Sequence, residues 1–335
     1  MLENSGFLIG NKMIDYKTFK VEDSRLISKF IEEFGISSHD ALKLIKTAPK
    51  RYKVYEIEKK NKKGTRTIAH PASELKLLQR WLVQNFLNND KFPVHKSATA
   101  YEQGKSIIDN ASPHKENNYI LKLDFKDFFP SITQKDFFIF IKDKGIKISE
   151  ADLFAISQAL FRLPKGENLL ELSIGAPSSP KVSNIIMYDF DKSTDDYCTK
   201  NNIKYTRYAD DLTFSTNKPD ILKNCLKEVE AIIKKLEYPK LSLNIKKTIF
   251  SSKKHRRIVT GLILTNDGNI SLGRDKKRLI SAKIHHFKNN KLSPDECFEL
   301  QGHLAYINVA EKAFLHSMEN KYGKNVITAI KLFKN

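Results

Sequence analysis

The stretch YTRYADDLTFS, residues 205–215, constrains the chain most. Two adjacent carboxylates, Asp210 and Asp211, stand between runs of β-favouring residues: Tyr205, Thr206 and Tyr208 before them, Leu212, Thr213 and Phe214 after. Such flanks predict a β-hairpin with Ala209-Asp210-Asp211 at or near its tip. Neighbouring like charges repel, so a fold gains little from them unless a cation shares both. The plain alternative is a solvated turn. A further carboxylate at the end of a neighbouring strand would complete an oxygen-only site for Mg²⁺. Residues 119–123, YILKL, read as a strand apolar on both faces, as expected of a buried central one, and it ends in Asp124.

Charge narrows the partners. Among 335 residues, Lys and Arg number 58 against 39 Asp and Glu, a net charge of +19. So basic a chain points to a polyanion, nucleic acid first and a membrane surface second, with a merely soluble basic protein as the bland reading. The cysteines Cys198, Cys225 and Cys297 are odd in number and far apart, which supports neither a disulfide framework nor a zinc site. No stretch reads as a signal peptide or membrane span, so the expected setting is a reducing cytoplasm without membrane contact.

Along the chain, residues 24–34 carry a helical stripe (Leu26, Ile27, Phe30, Ile31, Phe34) with Ser24 as N-cap and Gly35 as stop. A second helix is expected from Ser37 or Ser38. The two could bind DNA as a helix-turn-helix or simply pack on the next domain. Residues 52–70 alternate, turn and return as a hairpin bearing Lys59, Lys60, Lys62, Lys63 and Arg66. A basic hairpin suits a solvated face or a triphosphate, for which the Arg66 fork is the best single ligand. Ser73 is expected to cap a helix to about Asn88, with Leu75, Leu78, Leu82 and Phe86 inward and Trp81 in the core. Residues 92–118 read as loop or short helices, with NASPH at 110–114 as a turn. Thr133-Gln-Lys-Asp136 and Ser149-Glu-Ala-Asp152 read as capping boxes. IGAPSSPKVSN, residues 174–184, reads as a turn shaped by Gly175 and Pro177, then a helix capped by Ser178 or Ser179 and running to about Cys198. After the carboxylate hairpin come a helix from Pro219 (Leu222, Leu226, Val229, Ile233, Leu236), a strand at 241–250, another at 256–264, and about 65 helical, basic residues with an apolar stripe at Leu279, Ile280, Ile284 and Phe287.

Together these motifs resemble a reverse transcriptase. LDFKDFFPSI resembles the first palm motif, YADD the second carboxylate motif, IGAPSSPKVSN the nucleotide-contacting segment between them, LNIKKT the following lysine motif and TRTIAHPASELKLLQ the fingers segment. NASPH and VTG (259–261) bring the resemblance closer to retron reverse transcriptases, over about residues 25–325. The resemblance implies an α+β, right-hand polymerase fold with fingers, a palm of antiparallel sheet plus helices, and a helical thumb. Its parts would be an N-terminal helical extension at 1–50, fingers at 51–118, palm at 119–145, insertion helices of fingers and palm at 146–173, palm again at 174–264, and a basic, RNA-binding thumb at 265–335.

It also implies roles. Asp124, Asp210 and Asp211 would hold two Mg²⁺ ions with the backbone carbonyl of Phe125, Asp210 being the stronger ligand of the adjacent pair. Phe129, five positions after Asp124, would exclude a 2′-hydroxyl. Arg66, Asp127, Gly175, Ala176 and Lys247 would contact the dNTP, Lys247 as proton donor to pyrophosphate. Asn110, Ala111, His114, Val259, Thr260, Gly261, Arg256, Arg257, Lys283 and His285 would bind RNA. The expected partners are a cognate msr–msd noncoding RNA, its msDNA product, dNTPs, a retron effector protein in anti-phage defence, and a host RNase H. One departure stands out: Ile174 occupies the place where the family usually has glutamine, and it cannot hydrogen-bond a nucleotide. An intron maturase, another related polymerase, or an RNA-binding module with an inert polymerase fold are the alternatives; three intact carboxylates count against the last.

Overall fold

A computed structural model describes residues 7–9, 12–14, 18–58 and 64–334, the first two stretches as backbone alone. Lys59, Lys60, Lys62 and Lys63, expected at the tip of the basic hairpin, lie outside the described residues. The chain divides into two units. The first comprises Met1–Lys96, Phe125–Ser193 and Glu230–Leu243, the second Ser97–Asp124, Thr194–Val229 and Asn244–Asn335.

In the first unit, β1 (Phe7–Ile9) pairs with β2 (Lys12–Ile14), and β3 (Tyr52–Glu58) with β4 (Thr65–Pro71), both antiparallel. Ser24 caps the helix Arg25–Phe34 by accepting from the Ile27 amide, and Gly35 ends it in the left-handed region, as the sequence predicts. At Ser149 only half of the expected capping box forms. The Ser149 hydroxyl accepts from the Asp152 amide, but the Asp152 carboxylate accepts from Ser24 Oγ at 2.7 Å and the Leu26 amide at 2.9 Å. One acid thus ties the starts of two helices together.

Ser73 is not a cap: it lies inside the helix Ser73–Leu82, whose N-cap is Ala72. A π-helical turn, Val83–Leu87, then adds one residue to the repeat. Leu87 is therefore fully buried where an unbroken helix would bury Phe86, whose ring instead lies 4.8 Å from that of Phe92, tilted by 60°. Trp81 is buried and donates to Glu33 at 2.6 Å. The helix expected from 178 to 198 is two, Ser179–Ile186 and Tyr188–Lys200, divided at Met187.

The second unit is built on a four-stranded antiparallel sheet in the order β6-β7-β5-β8. Here β5 is Tyr119–Asp124, β6 Lys204–Tyr208, β7 Asp211–Thr216 and β8 Ile249–Ser252. The apolar β5 is central, as predicted. The strand expected over 241–250 is only its last part: Ile245–Lys247 forms a 3₁₀ turn. The strand expected over 256–264 is a hairpin of β9 (Arg257–Val259) and β10 (Leu262–Leu264), joined to β11 (Ile270–Ser271). Thr260 and Gly261 both have positive φ, 45° and 78°, the signature of a type I′ hairpin turn.

Of the loop or short helices expected over 92–118, short helices form, and NASPH, read as a turn, lies in them. Ser106 and Asp109 close a capping box on the helix Ile107–Ala111, and Ser112–His114 continues as a 3₁₀ turn. The C-terminal helices Arg274–Lys288, Pro294–Ala310, Lys312–Tyr322 and Lys324–Lys331 follow. They share one core with Ala111, Ile120, Val259, Leu262 and Leu264. Leu279, expected inward, is 51% exposed, and the buried stripe is Ile280 and Ile284. In Ile221–Lys235 the inward face is Leu222, Cys225, Val229 and Ile232, displaced from the expected Leu226 and Ile233. No described helix is long and apolar enough to cross a membrane.

Candidate active site

The hairpin predicted at 205–215 forms, with Tyr208 opposite Asp211 and a two-residue turn, Ala209-Asp210, between the strands. Ala209 takes a φ of 57°, uncommon without glycine. The wholly buried Arg207 supports it, donating from Nη1 to the Ala209 carbonyl at 3.2 Å. Backbone bonds from the Arg207 amide to Ser97 and from the Thr99 amide to Arg207 fix the outer edge of the hairpin.

Asp211 is also the direct partner of Asp124, the last residue of β5. Directly opposed residues project to the same side of a sheet. Tyr208, Asp211 and Asp124 therefore share one face, with Asp210 at the adjoining turn. Burial first, then the Asp211 and Asp124 charges, push the Asp210 carboxyl up to about 6. Burial likewise raises Asp211, with Asp124 adding to the shift while Lys122 and Lys247 oppose it.

The 3₁₀ turn brings Lys247 onto this cluster. Its ammonium donates to both oxygens of Asp124 at 2.8 Å. Asn244, three residues earlier, donates its amide to the Asp124 carbonyl at 2.7 Å and its side-chain nitrogen to Oδ1 at 3.5 Å. The ladder of β8 with β5 stops at Ile249, and the 3₁₀ turn inserts extra residues before Asn244 pairs with the Asp124 carbonyl. Asn244, Lys122 and Arg207 are parts of the site that the sequence reading missed. The N-to-K spacing of LNIKK was the available signal for Asn244.

A divalent cation is tested by the chemistry of these donors. Three carboxylates within electrostatic reach, one driven up by burial and then by its neighbours, form a hard-oxygen set of the kind such ions take. Among the described residues, no three His, Cys, Asp or Glu groups are already gathered as a metal cluster. Asp124 is instead neutralised by the Lys247 ammonium, itself a stand-in for positive charge. The residues fit the group.

The other expected site residues fall into two sets. Arg66, Asp127, Phe129, Gly175 and Ala176 belong to the first unit, as does Phe125, which follows Asp124 in the chain and is buried. Arg66 is exposed on β4 opposite Ile57. Three residues on, the Ala69 amide donates to the Ile174 carbonyl at 2.8 Å. Gly175 (φ 116°) is required by that approach, because a Cβ there would stand 3.0 Å from the Ala69 carbonyl oxygen. Ile174 thus contributes its backbone to the hairpin where its side chain offers no hydrogen bond. Ala176 is buried, Asp127 is exposed with φ 46°, and Phe129 is half-buried with its ring 5.5 Å from Phe128.

Several residues expected to touch RNA lie inside the protein. Asn110, Ala111, His114, Val259 and Arg257 are at most 1% exposed. His114 meets Ser215 Oγ at 2.7 Å through Nδ1 and Thr206 Oγ1 at 2.8 Å through Nε2. Asn110 accepts from Thr99 Oγ1 at 3.1 Å and donates to Thr260 Oγ1 at 3.5 Å. Arg257 donates to the carbonyls of Asn117, Leu264 and Thr265. In this structure the side chains of Asn110, Ala111, His114, Val259 and Arg257 therefore serve packing and internal hydrogen bonds. Gly261, Arg256 and His285 are exposed, Thr260 is half-buried, and Lys283 is paired with Glu299.

Comparison with known proteins identifies the family. The family described as reverse transcriptase (RNA-dependent DNA polymerase) matches residues 57–264. Retron Ec83 reverse transcriptase of Escherichia coli is 39% identical over 87% of this chain and 93% of its own length. Retron Ec86 reverse transcriptase, also of Escherichia coli, is 37% identical over 86% and 88%. Among solved structures, telomerase from Candida albicans, in complex with a fragment of telomeric RNA, aligns at 13% identity and a TM-score of 0.46. That alignment covers 84% of this chain, which spans about half of the telomerase chain, 55%.

Proposed function

Since the chain belongs to the retron reverse transcriptases and is an RNA-directed DNA polymerase, we propose that it primes DNA synthesis from a 2′-hydroxyl of its own noncoding RNA and makes branched msDNA. The observation that carries the catalytic part is the pairing of Asp124 with Asp211 beside the Asp210 turn, under the Lys247 ammonium. Asp124, Asp210 and Asp211, with the Phe125 carbonyl, would hold two Mg²⁺ ions. When bound, such ions acidify the attacking hydroxyl and neutralise the departing pyrophosphate.

The protein's own groups do the rest. Arg66 binds triphosphate oxygens through its planar fork. Phe129 excludes a 2′-hydroxyl from the incoming nucleotide by bulk. Gly175 and Ala176 bring backbone close to that nucleotide, Asp127 lies near its triphosphate, and packing offsets the hydrogen bond Ile174 cannot make. Lys247 leaves Asp124 and delivers its proton to pyrophosphate. Exposed basic and turn residues, Arg256, Thr260, Gly261 and His285 with Lys283, meet the RNA backbone by shape and charge. The setting is the cytoplasm, the partners are an msr–msd RNA, an effector protein and a host RNase H, and the role is anti-phage defence.

The test is direct. Purified protein with its cognate noncoding RNA, Mg²⁺ and dNTPs should yield DNA joined to RNA through a 2′–5′ bond, released by a debranching enzyme. DNA made only from an annealed 3′ end would overturn the priming mechanism and leave the polymerase standing.

A further inference from the structure

Tyr208 stands beside the carboxylates with Tyr101 next to it, and Tyr306 lies within electrostatic reach of Tyr208; Tyr101 and Tyr306 have no role so far. Tyr208 shares the sheet face of Asp211 and Asp124. Tyr101 lies with its ring centre 6.4 Å from that of Tyr208, tilted by 37°, and is 53% exposed. Its φ of 65° is an outlier for a bulky residue, and such strain gathers at functional sites. Tyr306, on the helix Pro294–Ala310, reaches the tip of the β9–β10 hairpin: a Cβ on Gly261 would be 3.9 Å from its hydroxyl. Lys276 Nζ stands 3.8 Å from the centre of the Tyr306 ring. All of these residues belong to the second unit.

Packing alone does not explain the trio. None of the three rings is buried: Tyr306 rests one side on the core that joins the C-terminal helices to the sheet, and Tyr101 and Tyr208 stand outside that core. Partly exposed rings beside a lysine and a polymerase carboxylate suit an unpaired nucleotide. Aromatic faces stack on bases without regard to pairing, and a cation meets phosphate.

We propose that Tyr101, Tyr208 and Tyr306 form a stacking site for the RNA nucleotide whose 2′-hydroxyl starts synthesis, with Lys276 beside its phosphate. This rests on the priming reading above. At the first addition the acceptor is a nucleotide within folded RNA, with no duplex primer end to order it. Once DNA has begun, base pairing with the template holds the growing end. The tyrosines therefore act chiefly on initiation.

The experiment compares two reactions of the full chain: first addition on the cognate noncoding RNA, and extension of a DNA primer annealed to an RNA template. Tyr306→Leu and Tyr101→Leu should each slow first addition about tenfold more than extension, the loss expected for one stacked base. Tyr306→Phe keeps the ring and should stay close to wild type in that ratio. A 2-aminopurine at the branch position, read from the wild-type product, should be quenched on binding and brightened by Tyr306→Leu. Equal slowing of both reactions, or unchanged quenching, would overturn the site. If wild type makes no 2′-linked product, the priming reading falls first, a result distinct from a wild type that primes while its tyrosine variants keep the same ratio.

Discussion

The same face of the same sheet carries two polar clusters built in opposite ways. At one end Asp124, Asp210 and Asp211 crowd together, and burial with mutual repulsion lifts Asp210 to about 6. At the other, His114, Thr206, Ser215 and Asn117 satisfy one another. Thr206 Oγ1 donates to the Asn110 carbonyl at 3.3 Å, so it accepts from His114 Nε2–H. His114 Nδ1 then accepts from Ser215 Oγ, which in turn accepts from Asn117 at 2.7 Å. One neutral tautomer closes the chain. Buried polar groups that serve only the fold are normally paired in this way. Like charges left facing one another are the mark of a site poised for a partner.

The largest test of that contrast is Asp210→Asn. If Asp210 holds Mg²⁺ as proposed, the variant loses several kcal/mol at the transition state, and DNA synthesis should fall by about three decades or more. Thermal stability should hold or rise, because a charge repelled by Asp211 and Asp124 is gone. A clear drop in melting temperature would make the carboxylates part of the scaffold.

The opposite pattern is expected at His114. His114→Leu leaves the Thr206 and Ser215 hydroxyls without their partner at a cost of about 1–3 kcal/mol each, read by denaturant unfolding. Activity should fall only as far as stability does. The wild-type residue also predicts a pH dependence. Burial first, with the Lys204 charge, lowers its pKa from 6.5 to about 3. Between those values the unfolded chain binds the proton and the folded chain does not. Stability is therefore complete above pH 6.5 and is lost as pH falls towards 3, by about 2 kcal/mol at pH 5. In His114→Gln this part of the pH dependence should vanish; if it persists, another group carries it.

The two clusters were unequally legible in the sequence. The carboxylate end could be read because its signals are local: a buried strand ending in Asp124, and paired acids between β-favouring runs. The His114 end could not, because Thr206 and Ser215 are about a hundred residues away and an NASPH segment has no period to show its buried side. Part of that miss was avoidable, since Ser106 and Asp109 spell a capping box ahead of it. The exposure expected of Arg257 failed for a similar reason: nothing local says that an arginine will fold back onto the carbonyls of Asn117 and Thr265. The π-helical turn at Val83–Leu87 shifted the inward face by one residue, which no 3.6-residue period anticipates. Lys247 was read on a strand, and the 3₁₀ turn Ile245–Lys247 interrupts that strand.

Lys247 gives the smallest expected effect and the finest distinction. Its ammonium holds both Asp124 oxygens, yet its side chain is 55% exposed, so the pair is only partly shielded from water. Half-exposed ion pairs contribute roughly 0.2–1 kcal/mol, and a cation seeking Asp124 must displace this one, so Lys247→Gln should tighten Mn²⁺ binding by about twofold to fivefold without nucleotide. Electron paramagnetic resonance of the free ion measures this apart from catalysis. The same variant should slow nucleotide addition if the lysine donates the proton to pyrophosphate. Tighter metal with slower chemistry separates a lysine that holds Asp124 in waiting from one that merely neutralises it; weaker metal binding would mean that Lys247 organises the carboxylates for the ion and does not compete with it.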